Sequence, residues 1–203
     1  LATRLGEPRL IVGQSRLEGF DRYAQPGPTT QVVRVPLAID PGGFLLDWCS
    51  TILGGLPESI VATGPPTPGG AESTGPDLES FAAVYPGGAT AQVSYGRFLR
   101  GGAGKALPPS GVQVFAERGA AWLEMPDRIR WWDDEGEHEE RLAADSPVGD
   151  VLNERFLRAV RDGGATGPTV RDALEVARLV QDLVRSRAEG RVIRRGDDGG
   201  GST

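Results

Sequence analysis

The sequence has very few of the residues that build most metal centres and disulfides. Its 203 residues include one cysteine, Cys49, one histidine, His138, and one lysine, Lys105. A single cysteine can form no internal disulfide, which fits a reducing cytoplasm. One histidine and one cysteine are too few for a zinc site of the usual type, so we expect no metal.

Long apolar runs and basic clusters are also missing. No stretch reaches the roughly 20 apolar residues of a membrane helix, so we expect no membrane partner. The net charge is −6, and the arginines are spread along the chain. Nucleic-acid binding needs a basic patch, so we exclude it. The chain starts Leu-Ala-Thr-Arg, without an initiator methionine or a signal peptide. We therefore expect a cytoplasmic protein whose sequence begins inside a longer chain.

The phosphate-binding and hydrolytic motifs with strict spacing are absent. The sequence contains no GxGxxG, GxxxxGK[ST], HExxH or GxSxG motif. The glycine clusters at Gly42-Gly43 and 101–104 do not open a βαβ unit, so we expect no dinucleotide cofactor to bind to this chain. No nucleophile lies in a pattern with a base that supports a hydrolase.

What is present predicts an α+β domain. In Thr90–Phe98 and Val112–Glu124 apolar and polar residues alternate with a period of two, which is typical of half-buried strands in hairpins. Further strands are predicted near 10–12, 32–35, 59–63, 81–85, 129–132, 138–142 and 191–193, and a short buried helix over 44–53. These patterns favour a largely antiparallel, mixed sheet with helices packed on one face.

The last third of the chain has helical periodicity. Leu152, Phe156 and Val160 fall on one face of a predicted helix. A second helix is predicted to begin at Thr169, with Asp172 three residues later as a variant of the capping box. We expect a single domain over residues 1–195 and a disordered polar tail over 196–203.

Residues 37–55 carry a family resemblance. Their sequence, LAIDPGGFLLDWCSTILGG, resembles a segment of the Gfo/Idh/MocA family of NAD(P)-dependent oxidoreductases, in which a helix with Asp and His residues ends in Leu-Gly-Gly. The segments 112–124, 156–163 and 169–191 resemble later elements of the same family in order and spacing. The resemblance covers most of residues 8–195 and implies the substrate-side, C-terminal domain, with the Rossmann domain absent from this chain.

The resemblance also implies a site. Asp40 and Asp47 match the family's two aspartates, and Phe44 stands where the family usually has histidine. A group that titrates near neutral pH suits removal of a hydroxyl proton during hydride transfer, and phenylalanine cannot do this. We therefore name Asp40 as the catalytic candidate and Asp40, Phe44 and Arg97 as substrate-binding candidates. The family's lysine belongs to the nucleotide-binding half.

Each of these residues also has a purely structural interpretation. Asp40 can cap the helix, Phe44 can be a core or pocket-wall residue, and Arg97 can be a solvated strand end. Two hypotheses stay open for the chain. It is either the substrate-binding and oligomerisation part of a sugar or polyol oxidoreductase that uses NAD or NADP, or a non-catalytic paralogue that self-associates through its sheet.

Overall fold

The computed structural model describes seven segments of the chain. They are residues 2–18, 42–64, 77–98, 110–125, 127–141, 148–164 and 167–196. The predicted strand at 32–35 and the tail from residue 197 onward lie outside them.

Nine strands form one mixed sheet, in the order β8-β7-β6-β5-β1-β4-β3-β2-β9. β1 pairs in parallel with β4, and every other neighbouring pair is antiparallel. The strands are β1 (Pro8–Glu18), β2 (Ser59–Thr63), β3 (Asp77–Val84), β4 (Thr90–Phe98), β5 (Gly111–Ala116), β6 (Gly119–Glu124), β7 (Arg128–Asp133), β8 (Gly136–Arg141) and β9 (Ile193–Arg194).

The helices are α1 (Ala2–Leu5), α2 (Gly42–Leu53), α3 (Val148–Asp162) and α4 (Val170–Glu189). α2 packs against β1, β4 and α4, and α4 packs against β2 and β9. The core between these helices and the sheet includes Ile11, Leu46, Val93, Val114 and Leu183. The structure thus confirms the predicted α+β fold, with helices on one face of a mostly antiparallel sheet.

The period-two pattern explains which face is covered. Along β4, Ala91, Val93 and Tyr95 are buried, whereas Gln92 and Ser94 are exposed. Because successive strand side chains point to opposite faces, the buried set lies under the helices and the polar set lies on the open face. None of the described helices is long and apolar enough to cross a membrane.

α4 is fixed at both of its ends and joined to the sheet near its C-terminus. Thr169 and Asp172 form the predicted capping box, and Gly190 closes the helix with a φ of 63°. The buried Ser186 hydroxyl accepts a hydrogen bond from the Ala62 amide at 2.9 Å and donates one to the Arg191 carbonyl at 2.6 Å. Ser186 therefore provides a hydrogen-bond acceptor for an amide of β2 that the short strand β9 does not reach.

Two glycines permit close contact in the β5–β7 meander. A Cβ on Gly119 would lie 2.1 Å from the Trp132 carbonyl oxygen, and one on Gly111 would lie 2.5 Å from the Leu123 carbonyl oxygen. Any side chain at either position would force the backbone to shift. α1, which is only four residues long, was not predicted, and β9 begins two residues later than predicted.

Candidate functional site

The exposed face of α2 carries the predicted site residue that the structure describes best. Phe44 lies in the first turn and is 47% exposed. Its ring centroid is 4.9 Å from that of Trp48, one turn later, and the half-buried Asp47 lies between them in sequence. Leu45, Leu46 and Cys49 occupy the buried face. Phe44 is therefore not a core residue, and its ring can form part of an exposed wall.

The other two predicted residues are described less fully. Asp40 lies outside the described residues. The backbone of Arg97 lies near the end of β4, between Leu17 of β1 and Asp77 of β3, and its side chain is also outside the description. Substrate binding by Asp40, Phe44 and Arg97 thus stays a prediction.

A buried polar network lies between the sheet and α4. Glu79 on β3 accepts a hydrogen bond from the Tyr95 hydroxyl of β4 at 3.1 Å and forms an ion pair with Arg187 of α4. Burial, together with the neighbouring Glu79 carboxylate, raises the pKa of Tyr95 above its ordinary value. A neutral tyrosine therefore donates to a paired carboxylate. The network holds α4 on the sheet.

Sequence reasoning missed this network, although one signal was present. In the segment Asp77–Val84 the buried positions alternate, and Glu79 falls on the same face as Phe81 and Ala83. An acidic residue at a core position of a strand predicts a buried partner. The partner itself, more than 100 residues away, could not be identified from the strand alone.

The lone cysteine does not form part of a reactive centre. Cys49 is fully buried, and burial raises the pKa of its thiol to about 12. Nearby, the Tyr85 and Ser50 hydroxyls lie 3.5 Å apart, and burial raises the pKa of Tyr85 as well. Both ionisable groups are protonated at neutral pH, so neither is a nucleophile or base.

The aromatic residues of β7 lie on opposite faces of the sheet, as alternation predicts. Trp131 stacks on His138 with 5.0 Å between centroids, and the His138 Nε2 lies 3.0 Å from Asp133 Oδ1. His138 is thus half-buried and paired with Asp133. On the open face, the Arg130 guanidinium lies 4.5 Å from the ring centroid of Trp122 and 5.7 Å from that of Trp132.

Two further features of the described residues lie away from α2. Asp133, Glu135 and His138 at the β7–β8 turn offer ligand atoms within 4.8 Å of one another. Acidic hairpin turns commonly show such spacing, and Asp133 already accepts a hydrogen bond from the Glu135 amide.

A cavity of about 620 Å³ lies between α4 and the β2–β9 edge, with mixed charges on its rim. No residue of α2 lines it, so it is separate from the predicted site.

The Glu79 network predicts a specific loss of stability. Arg187→Leu should lower the free energy of unfolding by about 2 kcal/mol, because it leaves a mostly buried carboxylate without its cation. Glu79→Gln in the same chain should recover much of that loss, since the amide carries no charge. Urea unfolding measures both, with Arg158→Leu, which breaks the exposed pair with Glu154, as a control within about 0.5 kcal/mol of the parent. Equal effects of Arg187→Leu and Arg158→Leu would show that the buried pair contributes nothing.

Comparison with known proteins finds matches among solved structures only. No family model and none of the curated proteins matches the chain. Among solved structures, an oxidoreductase from Agrobacterium radiobacter in complex with NAD+, L-tartaric acid and magnesium superposes with a TM-score of 0.73 at 19% identity, covering 97% of this chain and 59% of its own.

Two other oxidoreductases show the same partial coverage. An aldose-aldose oxidoreductase from Caulobacter crescentus, complexed with glycerol, has a TM-score of 0.71 at 15% identity, covering 94% of this chain and 56% of its own. A UDP-N-acetylglucosamine 3-dehydrogenase from Acidithiobacillus ferrooxidans has a TM-score of 0.69 at 14% identity, covering 90% and 54%. This chain thus spans between half and three-fifths of the length of these structures. It has the fold of the matched part of these oxidoreductases, as the sequence resemblance predicts.

Proposed function

We propose that this chain is the substrate-binding and oligomerisation domain of an NAD(P)-dependent sugar or polyol oxidoreductase of the Gfo/Idh/MocA type. The observation that carries the proposal is the match over 97% of this chain to just over half of an oxidoreductase that binds NAD+. The remaining part of such an enzyme supplies the nucleotide site. The single buried cysteine accords with a cytoplasmic location.

The described residues of this chain do not fit a dinucleotide. Their one parallel strand pair, β1 and β4, is not a βαβ unit with a glycine-rich turn, because α2, β2 and β3 all intervene in sequence. A pyrophosphate needs the amide groups of such a turn at a helix N-terminus. The nicotinamide cofactor therefore belongs to the complete enzyme, and this chain alone is inactive in the proposal.

The substrate side of the proposal depends on α2. The exposed Phe44 ring and the half-buried Trp48 ring beside it provide an apolar wall, and aromatic faces pack well against the C–H faces of sugars and polyols. Asp40, two residues before the described start of α2, would accept a hydrogen bond from a substrate hydroxyl. Structural neighbours that hold glycerol and L-tartaric acid support a ligand with several hydroxyl groups.

One residue favours the alternative function. Phe44 cannot accept or donate a proton, and it stands where the resemblance leads us to expect histidine. A non-catalytic paralogue that assembles through its sheet accounts for this substitution. The two proposals differ in whether the complete gene product binds NAD(H) and oxidises a polyol.

The open face of the sheet supports self-association. Leu10 and Val12 of β1 lie beside Phe115 of β5, with Leu10 directly opposite Phe115. Val12 and Phe115 are exposed, and Val84 of β3 adds a further exposed apolar side chain on the same face. An apolar patch on a sheet face without helices is typical of a contact between two copies.

Cofactor binding tests the proposed function. The complete gene product should bind NADH or NADPH with a dissociation constant in the low micromolar range. Residues 1–203 alone should show no binding in that concentration range. Isothermal titration calorimetry of both proteins measures this. Binding of similar strength by residues 1–203 would contradict the assignment of the nucleotide site. No binding by the complete product would favour the non-catalytic alternative.

Sedimentation velocity tests the sheet contact. The chain should form dimers or larger oligomers at high concentration, and Val12→Glu with Phe115→Glu should shift it to monomer, because two carboxylates would be buried at the interface. Val170→Glu, at the exposed start of α4, is the matched control and should leave the oligomer intact. A parent chain that stays monomeric at all concentrations would rule out the sheet contact.

A further inference from the structure

α3 has an apolar face that no described element covers. Leu152, Phe156 and Val160 lie at i, i+4 and i+8, and their exposed fractions are 59%, 55% and 64%. Leu157, beside this stripe, is 65% exposed. Beyond isolated contacts, α3 packs against none of the other described helices or strands. α2 and α4, by contrast, bury their apolar faces on the sheet.

A helix in this situation needs a partner. Most helical stability in proteins comes from packing of an amphipathic face, and an isolated helix of about 15 residues is only marginally stable in water. The opposite side of α3 is well solvated, with an Arg158–Glu154 ion pair at 2.5 Å. The polar face is thus stable in water, whereas the apolar stripe is stabilised by packing against a protein surface.

The comparisons provide a candidate for that protein surface. The matched structures have between two-fifths and a half of their length beyond the part that this chain covers, and one of them binds NAD+. A domain in the same polypeptide is present at an effective concentration on the order of millimolar, far above that of a free second copy. A tethered domain therefore covers an exposed stripe before another molecule does.

We propose that the stripe Leu152, Phe156 and Val160 of α3 is the docking surface for the dinucleotide-binding domain of the complete protein. The inference rests on the proposed function, because it takes that domain as the partner. The docked α3 then adds a contact that limits how the nucleotide-binding domain can lie relative to α2. Hydride transfer depends steeply on such alignment.

Hydrogen exchange measured by mass spectrometry tests the docking directly. Backbone amides of α3 should exchange at least tenfold more slowly in the complete gene product than in residues 1–203 alone. Phe156→Glu in the complete product should abolish this protection. It should also lower kcat/KM for the polyol at least tenfold while changing the dissociation constant for NADH less than twofold. Leu174→Glu, a half-exposed leucine on α4, is the matched control and should change none of these quantities.

The outcomes separate this inference from the proposed function. A complete product that binds NADH but leaves α3 unprotected overturns the docking and keeps the function. A product that does not bind NADH overturns the function and the identity of the partner together. If residues 1–203 alone form a dimer that Phe156→Glu abolishes and Val12→Glu does not, the stripe binds a second copy, and the docking is overturned.

Discussion

The parallel pairing of β1 with β4 is the constraint on which the rest of the structure depends. On the β1 side of this pair, one antiparallel arm of the sheet contains β5, β6, β7 and β8. On the β4 side, a second antiparallel arm contains β3, β2 and β9. Nine residue pairs along β1 and β4 join the two arms into one sheet. Without that junction each arm would be a separate meander, and α2 would lose the β1 and β4 surface on which it packs.

The covered face of the sheet then determines where function can lie. Burial of that face under α2 and α4 leaves the exposed side of α2 and the open face of the sheet accessible, and the stripe on α3 is exposed as well. The Glu79–Tyr95–Arg187 network and Ser186 hold α4 in place at two separate points of the sheet. The exposed side of α2 and the open face of the sheet are therefore held by a common rigid core, which suits the proposed contacts with a substrate and with another copy.

Local patterns predicted much of this fold. The alternation in β4 and β5 identified the hairpin strands and their buried faces, and the Thr169–Asp172 pair identified the start of α4. The β1–β4 pairing could not be predicted, because about 80 residues separate the partners and parallel pairing leaves no turn signal in the sequence. Arg187, the partner of Glu79, could not be predicted for the same reason, because long-range contacts depend on the assembled topology.

The site was predicted less completely than the fold. The resemblance selected α2, and the structure places Phe44 on its exposed side rather than in the core. In the proposed enzyme Asp40 and a second domain surround Phe44, and neither can be deduced from periodicity within one helix. A substrate cleft between domains is specified by two folded surfaces together, so the sequence of one of them predicts only half of the site.

A structure of the complete gene product with bound NAD+ tests the central claim most directly. We expect the nicotinamide ring to face the first turn of α2, with Phe44 and Asp40 on the wall of the intervening cleft. A nicotinamide that lies far from α2, or an Asp40 side chain that points into the packed sheet, would contradict the assignment of this domain to the substrate side.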